Sequence, residues 1–522
     1  MSSLTYEYNL GIRFQNVAEQ SAQRTALWFG RDEAISYSAL NTLANKIARW
    51  LLDRGINSHD VVALSGSKSL FTFGCMLACL KIGAVYSILD PESPVERLRK
   101  ILSTCSPKLL IGENDFLNRA AEITTQLKIA IADKGSSELA VKSYDEHNLI
   151  QTRNITGSNP SYIMFTSGST GFPKGAVMTH ANVLNLIRWS SEAYAIGPED
   201  VLTNVNPLYF DNSVFDFYAA LFSGAQLVPF SKAEVSDPKT LVDKVQAAQC
   251  TLWFSVPSLL IFLQTMKATD GKNLRSIRRF IFGGEGYPKA KLKKLYDTYA
   301  GSSQFFNVYG PTECTCICSS YEVTEQDFQD LQGLPPLGYI ANNFSYLILG
   351  DEGRAVPTGE TGELCLLGPN VGLGYYNDRV RTAASFVQNP LNDKFAETMY
   401  RTGDLARFNI NDQKLYIEGR KDNQIKHMGY RIELEEIEAA LNCLDYVSEA
   451  AALHTNTSGL SRIVAVVASD EPLDAECIRR DLGGIIPSYM IPSVFHRETV
   501  LPKNANGKVD RRRLAEQYLY SK

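Results

Sequence analysis

The chain has 522 residues, of which 44% are hydrophobic and 21% charged, and its formal net charge is -5. Because this length exceeds what one hydrophobic core supports, we expect at least two domains. The mildly acidic balance gives no electrostatic case for a nucleic-acid partner. No apolar run approaches the span of a bilayer, and the first residues lack the basic and apolar segments of a secretory signal. We therefore expect a soluble, cytoplasmic protein with no membrane partner.

Ten cysteines are spread along the chain without a CxxC pair, mostly in apolar surroundings. This usage is typical of reduced thiols that pack as small hydrophobes. Cys314, Cys316 and Cys318 occupy alternate positions, which on a strand would point them the same way. No histidine lies nearby to complete a zinc site, so we expect no zinc centre there.

Helices and strands alternate in the first half of the chain. The spacing of apolar residues predicts a helix over residues 36–56, closed by Gly55, and a second helix over 71–80. Short buried strands are expected at 60–64, 84–89, 108–111, 127–131, 162–165 and 201–204. This alternation is typical of open α/β sheets with crossover connections.

A polar loop, TSGSTGFPKG at residues 166–175, directly follows the predicted strand 162–165. Its glycines let backbone N–H groups approach a ligand, its hydroxyls add donors, and Lys174 adds a positive charge, a combination that suits a phosphate chain. The loop does not match the P-loop pattern GxxxxGK[ST], because its glycine spacing differs and a proline precedes the lysine. A solvated surface loop is the alternative interpretation.

Three further segments end in small or polar residues. Residues 210–222 predict a largely apolar helix, and Asp211 lies where an N-terminal cap is expected. A strand at 279–286 ends in Gly283, Gly284 and Glu285, and a strand at 305–313, FFNVYGPTE, breaks into a Gly-Pro turn. Ligands bind at the carboxyl ends of strands in open α/β sheets, so these loops should converge on one cleft.

The character of the chain changes towards its end. Glycine-punctuated strands over 345–382, with YRTGD at 400–404 and KLYIEGR at 414–420, predict a small β subdomain. A helical stripe at 434–444 and strands at 462–467 and 494–496 predict a compact α+β domain of about 100 residues. The charged run 420–423 is the expected boundary, between an N-terminal core of residues 1–420 and a C-terminal domain of residues 421–522.

Six motifs occur in a fixed order between Thr166 and Arg511, and the pattern to which they belong spans residues 36–513. They are TSGSTGFPKG from Thr166, VYGPTE from Val308, GELCLLG from Gly362, YRTGD from Tyr400, GRKDNQIKHMGYRIELEEIE from Gly419 and PKNANGKVDR from Pro502. With these motifs the chain resembles the adenylate-forming superfamily, which includes acyl-CoA synthetases, luciferases and non-ribosomal peptide adenylation domains. The resemblance implies an α/β fold in which a large N-terminal domain has two α/β sheets and a small β-barrel-like subdomain, and a small mobile α+β domain follows it.

The resemblance also implies a reaction in two steps. A substrate carboxylate attacks the α-phosphorus of MgATP to give an acyl-adenylate and pyrophosphate, and the acyl group is then transferred to a thiol. Because two anions meet in the first step, catalysis should consist mostly of positioning and charge neutralisation. The residues that the family pattern assigns to ATP are Thr166, Ser167, Gly168, Ser169, Thr170, Gly171, Lys174, Gly284, Glu285, Asn307, Val308, Tyr309, Gly310, Thr312, Asp404 and Arg420.

The family pattern gives several of these residues a role. The loop from Thr166 to Lys174 would hold the β- and γ-phosphates, Glu313 would bind Mg²⁺, and Thr312 would lie beside the α-phosphate. Tyr309 would stack on adenine, Asp404 would accept hydrogen bonds from the ribose hydroxyls, and Arg420 would assist at the ribose or phosphate. Taken singly, such residues are as often turn acids, surface acids or core aromatics.

Lys508 would bridge the substrate carboxylate, α-phosphate and ribose. It lies in the C-terminal domain, so the site would close by a domain movement about a hinge at Asp422. Gly429 would then line a tunnel for a phosphopantetheine arm. The chain departs from the common pattern here, because His427 and Met428 stand where a basic residue often precedes the glycine.

Asp211 favours an α-amino acid as the substrate, since amino-acid-activating members use an aspartate there to pair with the ammonium group. By family alignment the pocket is lined by Asp211, Asn212, Phe215, Ser255, Ile281, Gly283, Val308, Cys316 and Ile317, with Lys508 at the carboxylate. Asp211 is the one charged residue that lines the pocket beside the substrate's side chain, which argues against charged side chains on the substrate.

The apolar pocket residues favour a compact apolar substrate. The segments FGGEGYPKAKL and VYGPTECTCICSS look similar to stand-alone enzymes that load proline onto a carrier protein, so L-proline is the leading prediction. A β-amino acid and alanine remain alternatives. The chain shows no carrier motif, so we expect a separate phosphopantetheinylated carrier protein as the acceptor.

Two other functions are weighed against this one. A CoA ligase for a small organic acid is disfavoured by Asp211. A non-catalytic nucleotide-binding scaffold is disfavoured by the complete set of Lys174, Glu313, Asp404 and Lys508.

Overall fold

A computed structural model describes residues 6–168, 171–342, 344–457, 460–469, 472, 474–504 and 509–519. The contacts divide the chain into two compact units. The first unit comprises Met1–Pro91, Cys105–Met164 and Gly175–Lys421, and the second comprises Glu92–Thr104, Phe165–Lys174 and Asp422–Lys522. Among the described helices, none is both long and apolar enough to cross a bilayer.

A seven-stranded, mostly parallel sheet occupies the first part of the chain. Its elements and those around it are α1 (Leu10–Gln20), β1 (Thr25–Gly30), β2 (Glu33–Ser36), α2 (Tyr37–Asp53), β3 (Val61–Ser65), α3 (Leu70–Ile82), β4 (Val85–Leu89), α4 (Val95–Cys105), β5 (Leu109–Gly112), α5 (Asn114–Leu127), β6 (Ala130–Asp133), α6 (Lys134–Ala140), β7 (Pro160–Thr166) and β8 (Lys174–Thr179). The strand order runs from a later strand, Gly374–Tyr375, through β8, β7, β4, β3 and β5 to β6. Strands β3 and β4 are buried along their whole length, as expected for a parallel sheet covered on both faces.

A nine-stranded sheet follows, and the strand ends predicted to form the site lie on it. Its elements are α7 (His180–Ala193), β9 (Val201–Asn204), α8 (Asn212–Leu221), β10 (Gln226–Pro229), α9 (Lys232–Ser236), α10 (Pro238–Ala248), β11 (Leu252–Ser255), α11 (Pro257–Thr265), β12 (Arg279–Gly283), α12 (Lys289–Tyr299), β13 (Gln304–Tyr309), β14 (Ser319–Glu322) and β15 (Tyr339–Ile340). The order is β15-β14-β13-β12-β11-β9-β10-β1-β2. Strands β10, β9, β11, β12 and β13 are parallel neighbours, so their carboxyl ends lie at one edge.

The small β subdomain is a five-stranded antiparallel sheet. Its region contains β16 (Ser345–Leu349), β17 (Thr361–Leu367), β18 (Gly374–Tyr375), α13 (Arg379–Ser385), β19 (Phe386–Gln388), β20 (Thr398–Asn409) and β21 (Lys414–Arg420). The strands β16, β17, β20 and β19 are consecutive neighbours, and β21 pairs with β20. Strand β18 is not part of it, because it pairs with β8 of the seven-stranded sheet.

The C-terminal part of the second unit is α+β, as the apolar pattern predicts. Its elements are β22 (Gln424–His427), β23 (Tyr430–Glu433), α14 (Leu434–Leu441), β24 (Glu449–Thr457), β25 (Leu460–Ala468), α15 (Ala475–Gly483), β26 (Val494–Glu498) and α16 (Arg511–Tyr518). Strands β22 and β23 form a hairpin, and β24, β25 and β26 form a three-stranded sheet. The α/β class of the chain, with helices packed on large sheets in one part and a small α+β part at the end, is confirmed.

The three alternating cysteines do not lie on one strand. Cys314 ends a 3-10 turn, and Thr315 and Cys316 adopt φ values of 62° and 73°. These left-handed conformations reverse the chain, and β14 begins only after Cys318. All three thiols are buried.

Candidate active site

The carboxyl ends of β11, β12 and β13 bring the central predicted pocket residues together. Ser255 at the end of β11 lies opposite Phe282, and Gly283 at the end of β12 lies opposite Val308. A Cβ atom at Gly283 would lie 2.5 Å from the Val308 carbonyl oxygen, so only glycine lets these strands lie so close.

The apolar pocket residues belong to one buried cluster of the first unit. They are Phe215, Ile281, Val308, Cys316 and Ile317, and each is at most 5% exposed. The Phe215 ring packs edge-on against Phe254 at 4.9 Å and against Tyr194 at 5.8 Å. Asn212 borders the end of β12, since a Cβ at Gly284 would lie 3.4 Å from its amide nitrogen. The predicted pocket residues thus lie on α8, on the parallel strands and in the turn after β13.

Asp211 does not cap α8, so that interpretation is corrected. Its backbone is already helical, with φ -63° and ψ -24°, and its side chain makes no cap hydrogen bond. An effective N-cap residue needs an extended backbone, which directs its side chain onto the helix N–H groups. The Asp211 carboxylate instead accepts a hydrogen bond from the Thr312 hydroxyl at 2.6 Å. The first acid of α8 therefore faces the turn that contains Thr312 and Glu313.

The charge of Asp211 acts on Cys316, another predicted pocket residue. Burial raises the pKa of the Cys316 thiol well above its ordinary value, and the nearby carboxylates of Asp211 and Asp216 raise it further. A negative charge there disfavours a second anion and favours a cation. The predicted pocket residues therefore include one acid, Asp211, beside several apolar side chains.

Glu313 is fully buried, and it accepts a hydrogen bond from the Tyr375 hydroxyl at 2.7 Å. The backbone N–H of Gly372 also donates to the Glu313 carbonyl at 2.9 Å. Tyr375 lies on β18, which is 62 residues further along the chain. Sequence reasoning did not single out Tyr375, and no local signal marks it, because only the pairing of β18 with β8 brings it to this position.

Asp404 is held from two sides. Asp404 and Arg420 are direct partners in the β20–β21 register, and a guanidinium nitrogen lies 2.6 Å from one carboxylate oxygen. The Tyr309 hydroxyl donates to the other oxygen at 2.5 Å. Burial and the charge of Asp404 raise the pKa of Tyr309 well above its ordinary value, so this phenol stays a donor. Three of the predicted nucleotide residues therefore form one hydrogen-bonded group.

Two other predicted nucleotide residues contact the protein itself. Glu285 accepts from the backbone N–H of Ser258 at 2.6 Å, within the first turn of α11. The Asn307 amide donates to the Pro336 carbonyl at 2.8 Å. Glycine is required at Gly310, since a Cβ there would collide with the backbone of Cys316. These contacts describe structural support around the strand ends.

The predicted phosphate loop lies in the second unit, where carboxylates meet its donors. Lys174 pairs with Glu433 at 3.3 Å, and the Gly168 N–H lies 3.4 Å from a carboxylate oxygen of Glu436. Glu436 also pairs with Arg97 at 2.5 Å. Gly171 adopts φ 74°, which glycine accommodates without strain. The loop therefore presents donors that bind oxygen anions.

Some of the remaining predicted residues are described by the structure and others are not. Ser169, Thr170 and Lys508 are outside the described residues. Asp422 accepts a hydrogen bond from the Gln424 N–H at 3.3 Å. Gly429 adopts φ 82° in the turn of the β22–β23 hairpin, and Met428 beside it is exposed.

Comparison with known proteins identifies the family. The family model described as AMP-binding enzyme matches residues 14–376, which is more than half of the chain. The chain belongs to this family of AMP-binding enzymes. The superfamily predicted from the six motifs is therefore confirmed.

Curated relatives of this AMP-binding enzyme are much longer proteins. A dimodular nonribosomal peptide synthase of Bacillus subtilis (strain 168) is 34% identical over 504 residues, which are 96% of this chain and 20% of that protein. Surfactin synthase subunit 3 of the same strain is 34% identical over 484 residues, 92% of this chain and 37% of that protein. The chain thus matches a minor part of each relative.

Solved structures share the fold over nearly the whole chain. An artificially fused adenylation-PCP di-domain protein from Klebsiella oxytoca gives a TM-score of 0.82 at 22% identity, covering 95% of this chain and 94% of that one. An o-succinylbenzoate CoA synthetase from Bacillus subtilis gives 0.84 at 21% identity, covering 98% and 99%. Because an adenylation-PCP protein and a CoA synthetase share this fold, the fold alone does not select a substrate.

Proposed function

We propose that this AMP-binding enzyme activates an amino acid as its aminoacyl-adenylate and transfers it to the phosphopantetheine thiol of a separate carrier protein. The observation that carries the proposal is the position of Asp211. Its carboxylate is turned away from the capping position and contacts Thr312, beside an apolar pocket. A carboxylate in that place pairs with a substrate ammonium and has no partner in a simple organic acid.

The described donors and acceptors fit ATP. Asp404 is a buried carboxylate that Arg420 and Tyr309 hold in place. A carboxylate can accept hydrogen bonds from two ribose hydroxyls. The loop donors already hold carboxylate oxygens, which are anionic acceptors like phosphate oxygens. Tyr309 lies at the end of β13, within reach of Asp404, where adenine would contact its ring.

A magnesium ion fits the same set, because carboxylate oxygen is its preferred protein ligand and Glu313 is the buried carboxylate of the VYGPTE turn. Mg²⁺ bound there would neutralise phosphate charge. Tyr375 orients Glu313 by its hydrogen bond, and Thr312 places a hydroxyl next to Asp211.

The proposed chemistry has two balanced steps. A substrate carboxylate oxygen forms a bond to the α-phosphorus while the bond from that phosphorus to the bridging oxygen breaks, and pyrophosphate leaves. The carrier thiol then gives its proton to solvent, the thiolate attacks the acyl carbon, the C–O bond of the acyl-phosphate mixed anhydride breaks, and AMP leaves with the electron pair of that bond. Asp211 would orient the amino acid, Lys174 the leaving phosphates and Lys508 the reacting carboxylate.

The second step requires access for the carrier arm. We propose that a domain movement about a hinge at Asp422 opens this access. We also propose that Gly429, in the turn of the β22–β23 hairpin, lines the pantetheine tunnel. An adenylation-PCP neighbour supports a carrier as partner, since that protein joins the two functions in one chain. Among the described residues the cysteines form no disulfide, which favours a reducing, cytoplasmic location.

The pocket favours L-proline as the substrate. Phe215, Ile281 and Val308 are apolar and buried, and Asp211 supplies the one charge on the described pocket wall beside the substrate's side chain. A compact ring with a secondary ammonium group satisfies both features. Alanine and β-amino acids are the alternatives that an experiment should include.

Exchange of labelled pyrophosphate into ATP, measured with each amino acid and with small organic acids, tests the proposal. We expect exchange with proline above that with alanine and β-amino acids. Exchange with no amino acid would overturn the proposal. Exchange with an organic acid, followed by formation of its CoA thioester, would establish a CoA ligase instead.

Two lysine variants refine that test. Lys508→Ala should slow exchange at least about 100-fold while ATP binding and the far-UV spectrum stay unchanged. Lys503→Ala is the matched control, because Lys503 lies in the same motif and pairs with Glu449. Full exchange by Lys508→Ala would remove Lys508 from the mechanism.

A further inference from the structure

A buried polar network lies behind the pocket, and the proposed mechanism does not use it. The Lys68 ammonium, after β3, donates to the carbonyl of Asn204 at 2.6 Å. The side-chain amides of Asn204 and Asn206 both donate to one oxygen of Asp216, each at 3.0 Å. Asp216 is completely buried. We call these four residues the interior network.

The interior network joins elements from the two large sheets. Lys68 follows β3 of the seven-stranded sheet, whereas Asn204 is the last residue of β9 in the nine-stranded sheet. Asn206 lies in the connection to α8, and Asp216 lies on α8. The network therefore fixes α8 to the ends of strands from both sheets.

The same network reaches the pocket walls by two contacts. The Asn206 amide also donates to the Phe254 carbonyl at 3.0 Å, and Phe254 directly precedes Ser255. Phe215, the neighbour of Asp216 on α8, packs its ring on that of Phe254. A shift of Asp216 would therefore move a pocket residue on α8 and a pocket residue on β11 together.

The charges in the network are costly to keep. Burial raises the pKa of Asp216 above its ordinary value and lowers that of Lys68, and each residue favours the charged form of the other. Within the described residues, the second Asp216 carboxylate oxygen and the Asn204 side-chain oxygen have no hydrogen-bond partner. An apolar core would avoid this cost, so the arrangement calls for a role beyond filling space.

We propose that Asp216, held by Lys68, Asn204 and Asn206, is a positioning residue that sets the spacing between α8 and β11 and thereby the fit of the amino acid in its pocket. The inference rests on the proposed amino acid activation. Asp216 acts through Phe215 and through Phe254 next to Ser255, and it leaves the nucleotide residues untouched. The signature is a change in amino acid binding separate from ATP binding.

Asp216→Asn and Asp216→Ala are the test variants, assayed by pyrophosphate exchange with KM determined separately for the amino acid and for ATP. We expect Asp216→Ala to raise the KM for the best amino acid at least about tenfold, with the KM for ATP within about threefold of the wild-type value. Asp216→Asn keeps the size of the side chain and should give a smaller rise. An unchanged amino acid KM in either folded variant would overturn the proposal, as would an equal rise in both KM values.

The matched control is Asp200→Asn at the other end of the same strands. Asp200 precedes β9, is buried, and pairs with Arg278 at 2.7 Å and with the Thr251 hydroxyl at 2.7 Å. Its loss removes a comparable polar anchor, but it lies at the amino ends, away from the pocket. Melting temperatures of all variants are recorded, and we expect Asp200→Asn to lower the melting temperature with no change in either KM. A tenfold rise of the amino acid KM in this control would show that any loss of stability produces the effect.

A rescue variant separates positioning from simple destabilisation. Lys68→Met alone leaves the Asp216 carboxylate without its cation and should raise the amino acid KM, whereas Lys68→Met with Asp216→Asn removes both charges and should restore part of it. A double variant worse than both single variants would contradict the proposal. If the wild-type enzyme exchanges with no amino acid, the proposed function fails; if it is active and the KM split is absent, only this inference fails.

Discussion

The carboxylates of the candidate site and the carboxylate inside the core are held by different kinds of donor. Three site carboxylates accept from a hydroxyl group, and the pairs are Thr312 with Asp211, Tyr375 with Glu313 and Tyr309 with Asp404. Asp216 in the interior network accepts instead from two side-chain amides. Glu313, Asp404 and Asp216 are all buried, so burial does not separate the two kinds of group.

The two kinds of donor differ in how easily a ligand can replace them as the hydrogen-bond partner of the carboxylate. A hydroxyl hydrogen rotates about its C–O bond, and the oxygen can also accept, so a ligand can replace this partner at little cost. The Asn206 amide is planar and is fixed a second time by the Phe254 carbonyl. Hydroxyl-bound carboxylates are therefore suited to exchange partners with a substrate, and amide-bound carboxylates are suited to hold the fold.

Removing the charge of Asp211 should have the largest effect. In Asp211→Asn the substrate ammonium has no ionic partner, which costs about 3 kcal/mol and lowers kcat/KM for the amino acid at least about 100-fold. Pyrophosphate exchange at saturating ATP measures it. Wild-type discrimination between proline and cyclopentanecarboxylic acid should collapse in the variant, because that analogue lacks the amino group.

Thr312→Val is the companion variant, since it removes the hydroxyl on Asp211 and keeps the carboxylate. It should retain preference for the amino acid over the analogue. If Asp211→Asn keeps that preference as well, the ammonium is recognised elsewhere and the proposed role of Asp211 is wrong.

Glu313 should rank next. Glu313→Gln removes the charge of the expected magnesium ligand, and we expect exchange to fall about 30- to 100-fold and to require more Mg²⁺ for half-maximal rate. Tyr375→Phe removes only the orienting hydrogen bond at 2.7 Å, so a loss of roughly two- to tenfold is expected. Titration of MgCl₂ at fixed ATP distinguishes these variants. An identical magnesium requirement in wild type and Glu313→Gln would remove Glu313 as the ligand.

Asp404 should affect ATP alone. Asp404→Asn weakens acceptance from the ribose and leaves Arg420 without its partner, so KM for ATP should rise about tenfold. Tyr309→Phe loses one hydrogen bond to Asp404 and should change KM for ATP by less. The amino acid KM should stay constant in both variants, which is the reverse of the pattern expected for Asp216→Ala. A change in the amino acid KM of either variant would show that Asp404 also affects the amino acid pocket, contrary to this prediction.

Local sequence patterns predict much of the fold because the helices and strands are regular in apolar spacing. The helix predicted over 36–56 is observed as Tyr37–Asp53, with Ser36 as its cap, and the strand predicted over 201–204 is observed as Val201–Asn204. The turn at Thr315 and Cys316 was not predicted, because neither residue is a glycine and yet both adopt positive φ. Left-handed conformation at such residues is imposed by packing, which no local pattern records.

Contacts between residues far apart in the sequence were not predicted, for a related reason. Tyr375 meets Glu313 across 62 residues, and Lys68 meets Asn204 across 136 residues. Asp211 directly precedes α8 and Asp216 lies on it, yet tertiary contacts make one acid face a hydroxyl and the other face two amides. Motif resemblance predicted Asp211 and Asp404, whose roles remain predictions, but it contains no information on what orients them.

Replacement of His180, a buried residue of the interior, should have the smallest effect on catalysis. This histidine is completely buried at the start of α7, and its Nδ1 accepts the Leu10 N–H at 3.0 Å, so protonation there would break this bond. Burial lowers the pKa of His180 to about 3, below the value of about 6.5 expected in the unfolded chain. Between these values the unfolded state binds a proton that the folded state does not. Stability should therefore fall as the pH decreases below about 6.5, by up to about 1.4 kcal/mol per pH unit.

His180→Asn retains an acceptor for the Leu10 N–H but has no proton to take up. Urea unfolding at intervals from pH 7.5 to 4.5 should show the variant less stable than wild type at pH 7.5, with the gap narrowing steadily below pH 6.5. Pyrophosphate exchange at pH 8 should be the same in both proteins, because an interior group stabilises the core and does not touch a substrate. Parallel stability curves would show that His180 titrates alike in both states, and a loss of exchange at pH 8 would place it among the site residues.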